Sequence, residues 1–310
     1  MSQDIDHKKI VIAHRGASGY LPEHTLEAKA MAHAMGADYL EQDLVLSKDD
    51  IPVVIHDIHL EEVTNVAERY PGRARKDGRY YAIDFTWDEL KELSVTERLN
   101  TKTGKPVYPG RFPPGGSVFR LHTLQDEIEL IQGLNKSTGK RTGIYPEIKD
   151  PGFHREHGKD IARIVLDVLD EYGYRSKEDA CILQCFDSAE LQRIRENLGS
   201  KLFLTQLLEH PSQLDGLEEY ASYADAIGPS LTLFISGMNA NGELNYNDLA
   251  ERSHALGLKV HAYTFRKEDL GPFSAFEQLL ELYFLQLDID GGFTDFPDLV
   301  IAYLKRVRRW

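Results

Sequence analysis

Cysteine is scarce in this chain: 310 residues contain two, Cys181 and Cys185. Both fall in the run CILQC, which reads as a strand, so four residues set them roughly 13 Å apart. A disulfide needs Cα atoms within about 7 Å. The expectation is two free, buried thiols that say nothing about compartment. Basic charge is also in short supply. Lys and Arg number 36 against 50 Asp and Glu, a formal net charge of −14. That balance argues against binding a nucleic-acid backbone and against a polybasic membrane-surface role. An anionic small molecule would have to be met by a few local Arg and Lys or by a bound cation. Long apolar runs are missing too, none approaching the ~18 residues of a membrane span. The N-terminal stretch MSQDIDHKKIVIAH has neither the basic n-region nor the long apolar h-region of a secretory signal. The form is read as cytosolic, or as a mature domain whose export signal is not in the sequence. The basic C-terminal KRVRRW reads as a last helical turn favoured by the helix dipole. There is no internal repeat and no low-complexity tract.

What is present suits a large core. Apolar residues make up 42% of the chain, and α/β barrels reach this length as single domains. Runs rich in β-branched and aromatic residues predict strands over 10–14, 39–46, 52–57, 144–149, 181–186, 202–208, 226–229, 260–265 and 292–296. Amphipathic helices lie between most of them. One follows the Thr25 cap with Leu26, Ala30, Met31, Ala34 and Met35 facing inward and Gly36 as its stop. A second starts with a capping box at Thr123 and Asp126. Alternating strands and helices argue for a parallel sheet.

Nine strands are one too many for a (β/α)8 barrel. The segments at 39–46 and 52–57 are joined by only five residues, too few for a parallel crossover. They are read as an antiparallel hairpin turning near Asp49, with Ile55 opposite Asp43 and Asp57 opposite Glu41. This leaves eight barrel strands in one domain spanning 1–310. Residues 58–120, rich in Pro and Gly, read as an insertion after the second strand that caps a pocket.

The chemistry-bearing residues sit at strand ends, where barrel active sites are built. They are His14-Arg15-Gly16, Glu41-Gln42-Asp43, His56-Asp57, Glu147-Ile148-Lys149, and Gln184 with Phe186, joined late in the chain by Tyr263, Thr264 and Arg266. In E-x-D and E-x-K both charges of a pair point to one face of a strand, which in a barrel is the interior. Carboxylates crowded there cannot all ionise unaided. A hard divalent cation solves the problem, and oxygen ligation suits Mg²⁺ or Ca²⁺ better than zinc. His14 and His56 beside such a site suggest a general acid and base. Arg15 and Lys149 would offset an anionic substrate, and Gly16 would let the backbone approach a ligand closely.

The segments IAHRGASGYLPEHT (12–25), YLEQDLVLSKDDIPVVIHD (39–57), IYPEIK (144–149), LQCFD (183–187), HAYTFR (261–266) and GGFTDFPD (291–298) resemble the glycerophosphodiester phosphodiesterase family, close to its periplasmic bacterial branch. The resemblance covers nearly the whole chain. It implies a TIM barrel that hydrolyses glycerophosphodiesters, the products of phospholipid deacylation, to an alcohol and sn-glycerol 3-phosphate. It also implies a role in glycerol and lipid metabolism in the periplasm, and a divalent ion, Ca²⁺ in this branch and often Mg²⁺ elsewhere. By position, the metal ligands are Glu41, Asp43 and Glu147, and the catalytic pair is His14 and His56. Substrate contacts fall on Arg15 and Lys149, with Gln184, Phe186 and Tyr263 beside them. At position 24, where many relatives carry Asn, this chain has His24. Two rival readings of the same residues are an enolase-type metal-dependent barrel with Lys149 as base, and a non-catalytic binding or surface protein on this fold.

Overall fold

A computed structural model of the chain describes residues 8–239 and 244–310. Residues 1–7, where the stretch scanned for an export signal begins, lie outside the described residues.

Eight parallel strands close into a barrel: β1 (Ile10–Ala13), β2 (Tyr39–Leu46), β4 (Gly143–Ile148), β5 (Ile182–Cys185), β6 (Phe203–Leu208), β7 (Ala226–Pro229), β8 (Lys259–Phe265) and β9 (Gly291–Thr294). Closure runs through β1, which pairs with β9 at Ile10–Gly291 and with β2 at Ile12–Tyr39. Each barrel strand leads to a helix. These are α1 (Leu26–Met35), α2 (Leu124–Thr138), α3 (Ile161–Glu171), α4 (Ser188–Glu196), α5 (Leu217–Tyr223), α6 (Leu249–Ala255), α7 (Phe276–Glu281) and α8 (Pro297–Arg306). Their starts follow local chemistry. Thr25 caps α1, Thr123 and Asp126 form a capping box on α2, and Asp187 caps α4. Gly36 and Gly139 end α1 and α2 in the left-handed conformation.

Period-2 alternation divides the strand side chains into two cores. Val11, Leu40, Ile144 and Leu183 point outward to the helices, and both cysteines lie among them as free buried thiols. Ile12, Tyr145, Ile182 and Phe293 form a small inner cluster with Tyr39 and Phe203. Two residues further along the same inward faces come His14, Glu147, Gln184 and Asp295, and Glu41 and Asp43 follow Tyr39. The lumen is therefore largely aromatic and aliphatic below, where the Tyr145 hydroxyl meets Thr205 and His261, and charged at its C-terminal mouth.

The return arm of the hairpin, β3 (Pro52–Val54), is shorter than the 52–57 read from sequence. It pairs Leu44 with Val54 and Leu46 with Pro52, and Ile55 N–H still donates to the Asp43 carbonyl at 2.9 Å. Asp57 does not reach a position opposite Glu41. The physical cause is barrel closure: β1 already occupies that edge of β2 at Tyr39 and Leu40, so β3 can pair only with its upper half. The chain turns off instead, and Asp57 meets Arg98 at 2.7 Å.

One further expectation is corrected. The fully buried residues of α1 are Ala28, Lys29, Ala32 and His33; of the apolar set read from sequence, Met31 and Met35 pack against the core but stay only partly buried. Lys29, fully buried, bonds the Glu41 carbonyl and, at 2.7 Å, Glu127 on α2, which also accepts from Gln42 and pairs with His122. The glycine after Arg15 also lies tight against α1. Gly16 has φ 89°, and a Cβ there would lie 2.8 Å from the Ala28 carbonyl carbon.

Residues 58–120 form short pieces, including a helix over Trp87–Leu90 and a strand pair of Ser94–Val95 with Phe119–Arg120. Leu60, Val63, Phe85, Leu90 and Phe119 pack with Val45, Val53 and Ile55 of the hairpin in one apolar cluster. That packing seats the insertion on the barrel mouth.

Candidate active site

A cavity of about 690 Å³ opens at the C-terminal mouth. The ten residues given metal, catalytic or substrate roles by the resemblance all line it: His14, Arg15, Glu41, Asp43, His56, Glu147, Lys149, Gln184, Phe186 and Tyr263.

Glu41, Asp43 and Glu147 offer carboxylate oxygens that all lie within 4.8 Å of one another. Register explains the convergence, because Asp43 on β2 is paired directly with Glu147 on β4, and Glu147 with Gln184 on β5. All three acids are buried. Burial, followed by the neighbouring Asp43 charge, raises Glu41 well above the ordinary carboxylate range. Burial likewise pushes Glu147 up to about 8. Asp43 goes the other way: burial acts to raise it, but Lys149, His56 and His24 outweigh that and hold it well below. The cluster is one that cannot carry three negative charges unassisted. Asp43 Oδ1 is buried without a hydrogen-bond partner. Three hard oxygen donors with an orphaned acceptor among them fit a divalent cation such as Mg²⁺ or Ca²⁺.

The two imidazoles flank this cluster. His14 Nδ1 lies 2.6 Å from Asp295 Oδ1, and its Nε2 lies 4.0 Å from Glu41 Oε2. His56 Nδ1 lies 2.7 Å from Asp57 Oδ1, and its Nε2 lies 3.4 Å from Lys149 Nζ. In both, a carboxylate engages Nδ1 and leaves Nε2 toward the cavity, the arrangement in which a neighbouring acid sets the tautomer. Burial pulls His14 down to about 3 and also lowers His56, so both favour the neutral form.

Lys149 Nζ is 2.8 Å from Glu147 Oε1 and 3.9 Å from Asp43 Oδ1. Burial opposes its charge, yet those two acids raise it above the ordinary lysine value. Arg15 is in the left-handed region, φ 57°, so its backbone N–H reaches Glu41 Oε2 at 2.7 Å while its guanidinium pairs with Glu23 at 3.0 Å. Gln184 donates to Glu41 Oε1 at 3.4 Å and keeps its own carbonyl oxygen unpartnered. Phe186 and Tyr263 meet edge to face across the wall, and the Tyr263 hydroxyl is spent on the Leu208 carbonyl at 2.9 Å.

Several groups that shape the site were not singled out from sequence. Asp295 is the chief one, for it holds His14 and also Arg111 and Arg266. Its place two residues after Phe293 on the last strand was a readable signal. Glu23 is another: Arg98 donates to it and to Asp57, which the sequence had already marked beside His56. Arg98 and Arg111 come from irregular stretches of the insertion, and no periodicity marks them.

Fold and site together define a (β/α)8 barrel with an acidic, histidine-flanked centre at its catalytic end. The family model described as the glycerophosphoryl diester phosphodiesterase family matches residues 14–299. Among curated relatives, a glycerophosphodiester phosphodiesterase of Haemophilus influenzae is 46% identical over 97% of this chain and 91% of its own. One of Treponema pallidum is 37% identical over 98% and 94%. Among solved structures, an Oleispira antarctica phosphodiesterase in complex with the product sn-glycerol-3-phosphate matches with a TM-score of 0.65 at 21% identity, covering 96% of each chain. A glycerophosphodiester phosphodiesterase from Agrobacterium tumefaciens matches with a TM-score of 0.62 at 19% identity over 95% of this chain and 99% of that one. The chain belongs to the glycerophosphoryl diester phosphodiesterase family.

Proposed function

We propose that this protein hydrolyses glycerophosphodiesters to an alcohol and sn-glycerol 3-phosphate, with His14 and His56 as the acid–base pair. The observation that carries the reading is the pair of carboxylate-oriented imidazoles on either side of one three-acid cluster. In this reading Glu41, Asp43 and Glu147 hold a divalent cation, Ca²⁺ in the first place and Mg²⁺ in the second. When bound, the cation neutralises charge gathering on a phosphoryl oxygen. Arg15 and Lys149 add fixed positive charge on the same side and orient the phosphate. One imidazole Nε2 takes a proton from the attacking group, either water or the neighbouring glycerol hydroxyl in a first cyclising step that water then opens, while the other delivers one to the leaving alkoxide. Asp295 and Asp57 keep both rings aimed and stabilise whichever ring is transiently charged. Gln184, Phe186 and Tyr263 form the wall against which the glycerol and alcohol portions lie.

A reaction that used Lys149 as its base is disfavoured, because Glu147 and Asp43 hold that amine charged. Residues 58–120 brace the mouth from the side without lining the cavity itself: Arg98 and Arg111 reach from them to the carboxylates beside both histidines. By family resemblance the enzyme works in the periplasm, in glycerol and lipid metabolism.

The test is release of sn-glycerol 3-phosphate from glycerophosphocholine, glycerophosphoethanolamine and glycerophosphoglycerol, with and without chelator. Release abolished by chelator and restored by Ca²⁺ or Mg²⁺ supports the reading. No release from any diester defeats it.

A further inference from the structure

His24 touches the acidic cluster from outside. It lies between β1 and α1, one residue before the Thr25 cap, with φ 54°, and its backbone N–H donates to the Arg15 carbonyl at 3.0 Å. Its ring is 3% exposed, and Nε2 is 2.7 Å from Asp43 Oδ2. A carboxylate oxygen only accepts, so the ring donates through Nε2. Arg15 Nε lies 3.5 Å from the same oxygen. The other oxygen, Oδ1, has no hydrogen-bond partner and faces the Lys149 side of the cluster at 3.9 Å. One half of this carboxylate is hydrogen-bonded to the chain, and the other half makes no hydrogen bond and meets only the more distant Lys149 charge.

We propose that His24 is a positioning residue that makes Asp43 a one-oxygen ligand, and so sets how tightly the site holds a small divalent cation relative to a large one. The inference rests on the cation reading given above. Without the tie, the Asp43 carboxylate turns about its last torsion and presents either or both oxygens. Mg²⁺ demands near-octahedral geometry from single oxygens, whereas Ca²⁺ accepts bidentate carboxylates and irregular shells. Loss of the tie therefore weakens Mg²⁺ more than Ca²⁺. Outer hydrogen bonds to ligating groups commonly carry 10–100-fold in metal affinity.

The experiment is calorimetric titration of the cation-free full chain with Mg²⁺ and with Ca²⁺, beside thermal unfolding of the same cation-free samples. His24→Leu removes the donor. His24→Gln places an amide nitrogen where Nε2 now sits. The expected result is Mg²⁺ affinity reduced about 10–100-fold in His24→Leu, a smaller loss for Ca²⁺, and most of both regained in His24→Gln. If the leucine variant does not fold, His24→Asn supplies the loss arm, since its amide stops where Nδ1 lies and falls short of Asp43. Unchanged Mg²⁺ affinity in the loss variant overturns the proposal while leaving the cation reading intact. So does an equal loss for both cations that glutamine does not repair. A wild-type chain that binds neither cation overturns both.

Discussion

The imidazole of His14 and the carboxylate of Asp295 meet at 2.6 Å although 281 positions separate them in the chain. They are brought together because β1 and β9 are the strands that close the barrel, with Ala13 paired to Thr294. Asp295 is ionised firmly. Burial acts to raise it, but His14, Arg266 and Arg111 outweigh that and hold it far below the ordinary carboxylate range. Asp295→Asn keeps the shape and removes the charge that fixes the ring tautomer. Turnover is expected to fall by about 10²–10⁴-fold, close to the loss from His14→Ala. Steady-state release of glycerol 3-phosphate measures it, and a loss under threefold would show that the contact is only structural.

Glu147 joins the cluster from β4 and is paired in register with Asp43. Glu147→Gln keeps the volume and removes one anionic donor. Cation affinity by calorimetry is expected to drop at least about tenfold, with turnover falling in parallel. Intact affinity with lost turnover would move Glu147 out of the ligand set.

Glu127, under the site, predicts a pH dependence of stability. Burial would raise it, but Lys29 and His122 outweigh burial and bring its pKa from 4.5 to about 2. A depressed acid contributes stability that is full above its unfolded pKa and is lost as pH falls through its folded one. The window is therefore roughly pH 4.5 down to 2, and the contribution is on the order of 3 kcal/mol. Urea unfolding of wild type and Glu127→Gln at pH 6 and pH 3 checks it. The wild-type advantage should shrink at the lower pH; a constant difference would refute the linkage.

Gly16 follows Arg15 in the turn after β1. An alanine there meets the Ala28 backbone at 2.8 Å in a left-handed conformation. Gly16→Ala is expected to cost roughly 1–3 kcal/mol and to disturb the neighbouring Arg15 N–H bond to Glu41. A lowered denaturation midpoint together with reduced activity is the expected outcome. An unchanged midpoint would mean that α1 yields freely.

Much of this was legible in the residues themselves. The period-2 rule sent Glu41 with Asp43, and Glu147 with Lys149, to common faces, and the five-residue link at 47–51 identified the hairpin that reduced nine strands to eight. The capping signals at Thr25 and Thr123 are local, so they are readable without partners. The α1 face was misread because Lys29 looks like a surface residue until Glu127 and the Glu41 carbonyl stand opposite it. A buried charge is invisible to hydropathy, since its partner lies on another element.

Residue pattern alone sufficed for the alternation of strands and helices, the strand ends that carry charge, and the shared face of Glu41 with Asp43 and of Glu147 with Lys149. Which carboxylate aims each imidazole, which oxygen of Asp43 lacks a hydrogen bond, and how Arg98 and Arg111 of the insertion reach the catalytic end came from the packing of distant segments. The physical reason is range. Backbone periodicity and capping act over a few residues, whereas hydrogen bonds between strand ends depend on barrel closure, which pairs positions hundreds of residues apart.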